Sequence, residues 1–250
     1  MMGPQPALEV RHVTKDFGGL RAVDSVSLTV AVGERRVLIG PNGAGKTSLF
    51  HCISGAHTIS GGEIHCFGNL ISHMPEYERA AIGIGRTFQI SSVFLGLTVL
   101  ENIQIAALGT HERKWDLWRR PDQITGIDGL CRKVLEEVGL LDRSQRQLSS
   151  LSYGERRQLE LGLALVNRPK LLLLDEPCAG LSPAERQRLF SLIKELPRTI
   201  TIVMIEHDMD VALGLADQVT VLHRGRKIVE GSADQIKEDP QVREVYFGEV

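Results

Sequence analysis

Residues 40–47 read G-P-N-G-A-G-K-T, a glycine-rich run ending in an ammonium and a hydroxyl. Residues of these types at this spacing can hold phosphate. Glycines let backbone N–H groups turn inward and approach phosphate oxygens with no Cβ in the way. Lys46 brings a full positive charge to the outer phosphates, and Thr47 a hydroxyl suited to Mg2+. The pattern carries weight only between a strand and a helix. Arg35–Ile39 reads as a short buried strand and Lys46–Ser54 as the start of a helix. That helix directs its positive N-terminal dipole at the same point. Gly40, Pro41, Asn42, Gly43, Ala44, Gly45, Lys46, Thr47 and Ser48 are therefore the candidate nucleotide-binding set.

A second group of capable residues ends an apolar run. Leu171-Leu172-Leu173-Leu174 leads into Asp175 and Glu176. A carboxylate at the C-terminal edge of a parallel sheet can reach a metal held on a phosphate loop. Asp175 is the candidate Mg2+ partner, through water where the ion keeps its hydration. Glu176 is the candidate base for the attacking water. The plainer alternative is a buried strand meeting an acidic turn before Pro177. A third segment, residues 151–155, reads L-S-Y-G-E and opens a helix. Ser152 and Glu155 form an S-x-x-E capping box. Capping does not explain Gly154, because glycine inside a helix costs about 1 kcal/mol. A glycine at a helix start admits an anion close to the backbone, so the segment reads both as a cap and as a phosphate contact.

These groups need a frame. Leu8–Phe17 and residues 22–30 alternate apolar and polar about Gly18-Gly19, which predicts an antiparallel pair. Short strands are expected over residues 63–67 and 84–88, with a short helix at 75–81. T-x-x-E at Thr98 to Glu101 is another capping box, and helical spacing recurs over 127–138, so residues 89–150 read as a mostly helical insert. Helices follow at 155–166, 184–196 and 209–216, strands at 170–174, 200–205 and 219–223. A hairpin partner at 227–230 and two short helices at 233–237 and 241–247 close the chain. Apolar strands alternating with helices imply a largely parallel sheet covered on both faces.

Bulk properties narrow the field. The 250 residues are 42% hydrophobic and 24% charged, ordinary for a globular protein with a real core. A formal net charge of −2 gives no basic field for nucleic acid. The four cysteines, Cys52, Cys66, Cys131 and Cys178, make no C-x-x-C pair and read as reduced, buried or half-buried thiols. No H-x-x-x-H pair suggests a structural metal. The first residues lack a signal peptide's basic and apolar regions, and no apolar run approaches the roughly 18 residues that span a bilayer.

Taken in order, G-P-N-G-A-G-K-T, Gln89, L-S-Y-G-E, L-L-L-L-D-E-P and His207 resemble the ATPase subunits of ABC transporters over nearly the whole chain. Local runs are similar to the branched-chain amino acid importers: F-G-G-L-R-A-V-D from Phe17, R-T-F-Q from Arg86, G-L-T-V-L-E-N-I from Gly96, A-G-L-S-P from Ala179, and a tail with E-G-S and D-P-Q-V-R-E-V-Y-F-G. The resemblance implies an α/β fold: a P-loop NTPase (RecA-like) core over residues 7–88 and 155–250, with an antiparallel β subdomain, and an inserted α-helical subdomain over 89–154 that bears the signature motif. It implies ATP and Mg2+ as the nucleotide and metal. Phe17 would stack on adenine, with Val23 packed nearby; as a lone residue Phe17 also reads as a core aromatic. Gln89 would sense Mg2+ and the γ-phosphate, and its loop would face the membrane partner. His207 would contact the γ-phosphate, although a lone histidine there also reads as a cap or surface residue. Glu176, His207, Gln89 and Lys46 are the implied catalytic set, and Thr47, Gln89 and Asp175 the metal set.

The same resemblance implies partners. Two ATPase chains, identical or different, would sandwich ATP between Lys46 of one and Ser152 and Gly154 of the other, with Leu181 and Ser182 in a loop facing the opposite subunit. Transmembrane permease subunits, and indirectly a periplasmic binding protein, would place the chain peripherally on the cytoplasmic face of the inner membrane. Alternative readings are an ABC ATPase for urea, short amides or lipopolysaccharide, and a soluble ABC protein that carries no solute. Tyr153 and Glu155 depart from the usual L-S-G-G-Q signature, and Ser182 stands where many relatives carry aspartate. The stretch 111–120, with Trp115 and Trp118, reads as a solvated helix or a partner contact.

Overall fold

The computed structural model describes residues 5–87, 93–109 and 127–247. Gln89, the end of the strand expected over 84–88 and the stretch 111–120 lie outside them. The alternation at the start of the chain becomes β1 (Leu8–Phe17) and β2 (Leu20–Val30), paired antiparallel with Leu8 opposite Val30. The order continues with β3 (Arg35–Ile39), α1 (Lys46–Ser54), β4 (Gly61–Cys66), β5 (Asn69–Leu70), α2 (Glu76–Ala81), β6 (Ile84–Arg86), α3 (Val99–Leu108) and α4 (Ile127–Glu137). Then come α5 (Tyr153–Leu165), β7 (Leu171–Asp175), α6 (Pro183–Glu195), β8 (Thr201–Ile205), α7 (Met209–Leu215), β9 (Gln218–His223), β10 (Arg226–Gly231), α8 (Ala233–Glu238) and α9 (Pro240–Phe247). One sheet has the order β2-β1-β4-β5, the other β10-β9-β3-β8-β7-β6. In the larger sheet β3 runs parallel to both β8 and β9, and β10 returns antiparallel on β9.

The chain divides into two compact units. The first comprises Met1–Ile84, Leu173–Glu176 and Pro197–Val250; the second comprises Gly85–Leu172 and Pro177–Leu196. In the first, β3 is buried at every position although it begins with two arginines. Arg36 is tolerated there because its guanidinium is fully occupied. It donates to Glu34 at 2.7 Å, to the Thr220 hydroxyl at 2.9 Å, to Thr29 O at 2.8 Å and to Glu230. A buried charge of this kind is strongly costly to unpair. Arg79 of α2 is also buried and donates to carbonyls: Cys52, Ile53, Ile71 and Met74 at 2.6 to 2.7 Å, and Ser72 at 3.4 Å. Two of these close the C-terminal turn of α1, where carbonyls lack intrahelical partners.

The second unit is helical. On α4 the buried residues Ile127, Cys131, Val134 and Leu135 follow the i, i+4, i+7, i+8 spacing of one apolar face. Thr98 and Glu101 form the capping box expected for α3, and Ser152 and Glu155 the one expected for α5. The helix α5 starts at Tyr153, two residues before the position expected, because Ser152 fixes the start and draws Gly154 into the first turn. The Gln158 side chain donates to Val138 O at 2.8 Å, tying α5 to the end of α4. All four cysteines are buried.

Candidate nucleotide-binding site

The glycine loop between β3 and α1 cannot take another residue at two of its positions. Gly45 is the N-cap of α1 at φ 94°, and a Cβ there would lie 2.3 Å from Ala22 O. At Gly40, with φ 151°, a Cβ would lie 2.2 Å from Leu222 O. Backbone packs against the loop here, so glycine is required by contact as well as by dihedral. The β9–β10 turn supports the loop from outside. Gly225 N–H donates to Ala44 O at 3.0 Å, and Asp24 N–H to Gly225 O at 2.8 Å. Asp24 is in turn paired with Arg226 at 2.6 Å and Arg21 at 3.4 Å. Tyr246 of α9 hydrogen-bonds the Gly40 backbone, and burial pushes its phenol up to about 12.

A cavity of about 560 Å3 opens over this loop. Its walls are Asn42 through Ser48, Glu176 and His207, completed by Leu20 through Ala22 and by Arg224 and Gly225. Lys46 is only 4% exposed, and its ammonium donates to Gly40 O at 2.6 Å and Pro41 O at 3.0 Å. Burial lowers its pKa, against the opposing fields of Glu176 and Asp175. Glu176 stands in the left-handed region at φ 47°, its N–H held by Ile205 O at 3.0 Å. Its Oε1 lies 2.6 Å from His207 Nε2. After His207, Asp208 caps α7 by accepting from the N–H groups of Asp210 and Val211.

The sequence-derived candidates thus fall into groups. Lys46, Thr47, Ser48, Asn42, Gly43, Ala44, Gly45, Glu176 and His207 share one cavity wall. Asp175 is the last residue of β7 and acts on Lys46 through its charge. Phe17 is 42% exposed at the end of β1, edge-on to His57 at 5.3 Å and under the Lys15 ammonium, so it is no core aromatic. Val23 is buried. Ser152 and Gly154 belong to the second unit, where Gly154 N–H already meets an anion: Glu185 Oε1, at 3.1 Å. A Cβ on residue 154 would sit 2.5 Å from that oxygen, so a larger residue there would have to displace the Glu185 carboxylate. Arg21, Arg224 and Tyr246 escaped the sequence reading. An arginine in a hairpin turn and a tyrosine near the chain end carry no local signal of a loop some 200 residues away.

Comparisons with known proteins agree with this geometry. The model of the ABC transporter family matches residues 23–179, and that of the branched-chain amino acid ATP-binding cassette transporter matches residues 226–250. The chain is 39% identical to the high-affinity branched-chain amino acid transport ATP-binding protein LivG of Escherichia coli, covering 98% of this chain and 99% of that one. It is 37% identical to the corresponding protein BraF of Pseudomonas aeruginosa, with the same coverage. Among solved structures it is similar to the ADP conformation of MJ1267, an ATP-binding cassette of an ABC transporter, with a TM-score of 0.87 and 31% identity over 98% of this chain and 99% of that one. The loop, the carboxylate pair and these full-length likenesses place the chain in the ABC transporter family.

Proposed function

We propose that this chain is the ATP-hydrolysing subunit of an importer for branched-chain amino acids. The observation that carries the reading is near-full-length likeness to LivG and BraF joined to a match of residues 226–250 with the branched-chain family's own tail. One cassette would span the chain, with residues 89–154 as its helical subdomain. ATP would lie with its phosphates in the 40–48 loop and its adenine on Phe17 beside Val23. Lys46 releases the Gly40 and Pro41 carbonyls and turns its ammonium to the outer phosphates. Glu176 orients the attacking water, and His207, already bonded to Glu176, contacts the γ-phosphate. Positioning and charge suffice, because the transition state for phosphoryl transfer is loose.

Thr47 lines the cavity and Asp175 ends the neighbouring strand. Among the described residues no cluster of three or more histidines, cysteines or carboxylates could hold a metal by itself. That donor set fits Mg2+, a hard ion usually held by one or two protein oxygens together with substrate phosphates. Thr47, Asp175 and Gln89 would hold the ion, which when bound neutralises charge on the phosphates. A second ATPase chain, the same or different, would bring Ser152 and Gly154 to the γ-phosphate. No helix among the described residues is long and apolar enough to cross a membrane. The chain would work docked on permease subunits at the cytoplasmic face of the membrane, fed by a periplasmic binding protein.

The test is reconstitution of the complex, co-purified from membranes, with ATP turnover measured against candidate solutes on their binding protein. Stimulation by leucine, isoleucine or valine is expected. Stimulation by urea or short amides alone would overturn the assigned solute, and co-purification without any permease would overturn the transport role.

A further inference from the structure

Two side chains fasten the start of α5 to the loop that leads into α6. Tyr153, the first residue of α5, donates its hydroxyl proton to Ala179 O at 3.3 Å. The Tyr153 hydroxyl oxygen in turn accepts from Arg157, at 3.2 Å from Nε and 2.8 Å from Nη2. Arg157 is itself held by Glu160 at 2.9 Å. Because Arg157 can only donate, the one proton of the hydroxyl is left for Ala179. On the other side Glu185 divides its carboxylate. Oε2 accepts from the Ser182 hydroxyl at 2.7 Å and the Ser182 N–H at 3.1 Å, while Oε1 accepts from Gly154 N–H at 3.1 Å. One carboxylate therefore serves the first turns of two helices. Its pKa is lowered chiefly by the Ser182 hydroxyl and backbone, with Gly154 adding to the effect, so it stays ionised and bonded at neutral pH.

We propose that Tyr153 and Glu185 are positioning residues that lock the start of α5 to the loop 179–183, so that both meet the second subunit's nucleotide as one surface. The inference rests on the reading that Ser152 and Gly154 grip the nucleotide of a second ATPase chain. It gives Tyr153 a purpose that glycine, usual at this point of the signature, cannot serve.

The experiment uses Tyr153→Phe and Glu185→Ala in the full chain, with Glu185→Gln as the conservative control. Nucleotide affinity is measured by binding of a fluorescent ATP analogue. Dimerisation is measured by sedimentation with saturating ATP in a Glu176→Gln background, and turnover with Glu176 intact. Tyr153→Phe keeps the ring and loses its hydrogen bonds. Its nucleotide Kd is expected to match the parent, and its Tm to fall by no more than about 2–4 °C. Dimerisation and kcat should each fall about fivefold, the loss of one net hydrogen bond. Glu185→Ala should move the same readouts, and Glu185→Gln should recover only part of the loss, because its single amide oxygen can accept from Gly154 or from Ser182 while its NH2 cannot accept from the other. Parent-like dimerisation and kcat in both Tyr153→Phe and Glu185→Ala would overturn the inference and leave the function standing. A parent that stays monomeric with ATP would overturn both together.

Discussion

Glu176 Oε1 and His207 Nε2 stand 2.6 Å apart, one residue beyond the end of β7 and two beyond the end of the adjacent β8. The contact depends on backbone geometry. Glu176 takes φ 47°, a conformation that costs a non-glycine residue on the order of 1–3 kcal/mol, and its N–H is pinned to Ile205 O. An extended residue there would instead turn its carboxylate to one face of the sheet. The strained one presents it to the cavity wall shared with Lys46 and Thr47.

Glu176→Gln keeps the shape and an oxygen that can meet His207, but removes the carboxylate proposed as the base. Turnover should fall by about 10²- to 10⁴-fold. Nucleotide Kd should stay within about twofold, and the variant should accumulate in an ATP-bound state. Steady-state ATPase assays beside equilibrium binding decide this; turnover near the parent rate removes Glu176 from its role.

Lys46→Ala deletes a buried ammonium whose protein partners are two loop carbonyls. Charge-assisted hydrogen bonds contribute about 1.5–3 kcal/mol, so nucleotide affinity should drop about 10- to 100-fold. Calorimetric titration with ATP measures it. An unchanged Kd would place the phosphates elsewhere.

The cysteines should be silent in the folded protein. All are buried, and burial pushes the thiols of Cys52 and Cys131 up to about 11. At pH 8 about one molecule in a thousand would carry the thiolate at either position. Reaction with a chromogenic disulfide should be slow in buffer and release four equivalents in guanidinium. Rapid labelling in buffer would show that these regions open readily.

Acid sensitivity should trace in part to Asp217. Burial alone would raise its pKa, but hydrogen bonds from Arg198 and the Arg35 N–H outweigh burial and hold it below the ordinary value. A depressed native pKa stabilises the fold above the unfolded value, and that contribution is lost as pH falls through the native one. Asp217→Asn should therefore lower stability at pH 7 by on the order of 1 kcal/mol or less, given solvent screening. The difference from the parent should shrink toward zero as pH drops below the carboxylate range. Urea titrations at several pH values check both signs.

Much of this molecule was legible in the sequence because its signals are local. Loop glycines, apolar strands and S-x-x-E caps are short-range patterns, and among the described residues the strands and helices other than β5 fall within a few residues of where they put them. The carboxylates after Leu174 could be singled out for the same reason. What escaped was set by distant packing. No local pattern reveals that Arg36 is buried among four partners, that β5 adds a two-residue strand, or that the carboxylate nearest Gly154 belongs to residue 185. Arg21 reaches the cavity from β2 and Arg224 from the β9–β10 turn, on sequences that are ordinary in themselves, and only the sheet order brings β9 beside β3.

Arg79 has a mechanical consequence. A helix whose last carbonyls are open to water frays and absorbs a push at its other end. In α1 the Cys52 and Ile53 carbonyls are clamped to a guanidinium that also grips Ile71 and Met74. The nine residues of α1 therefore behave as a rod about 13 Å long, bolted at the end remote from phosphate. A displacement imposed on Lys46 is therefore expected to be felt at the Ile71–Met74 segment rather than lost at a fraying helix end.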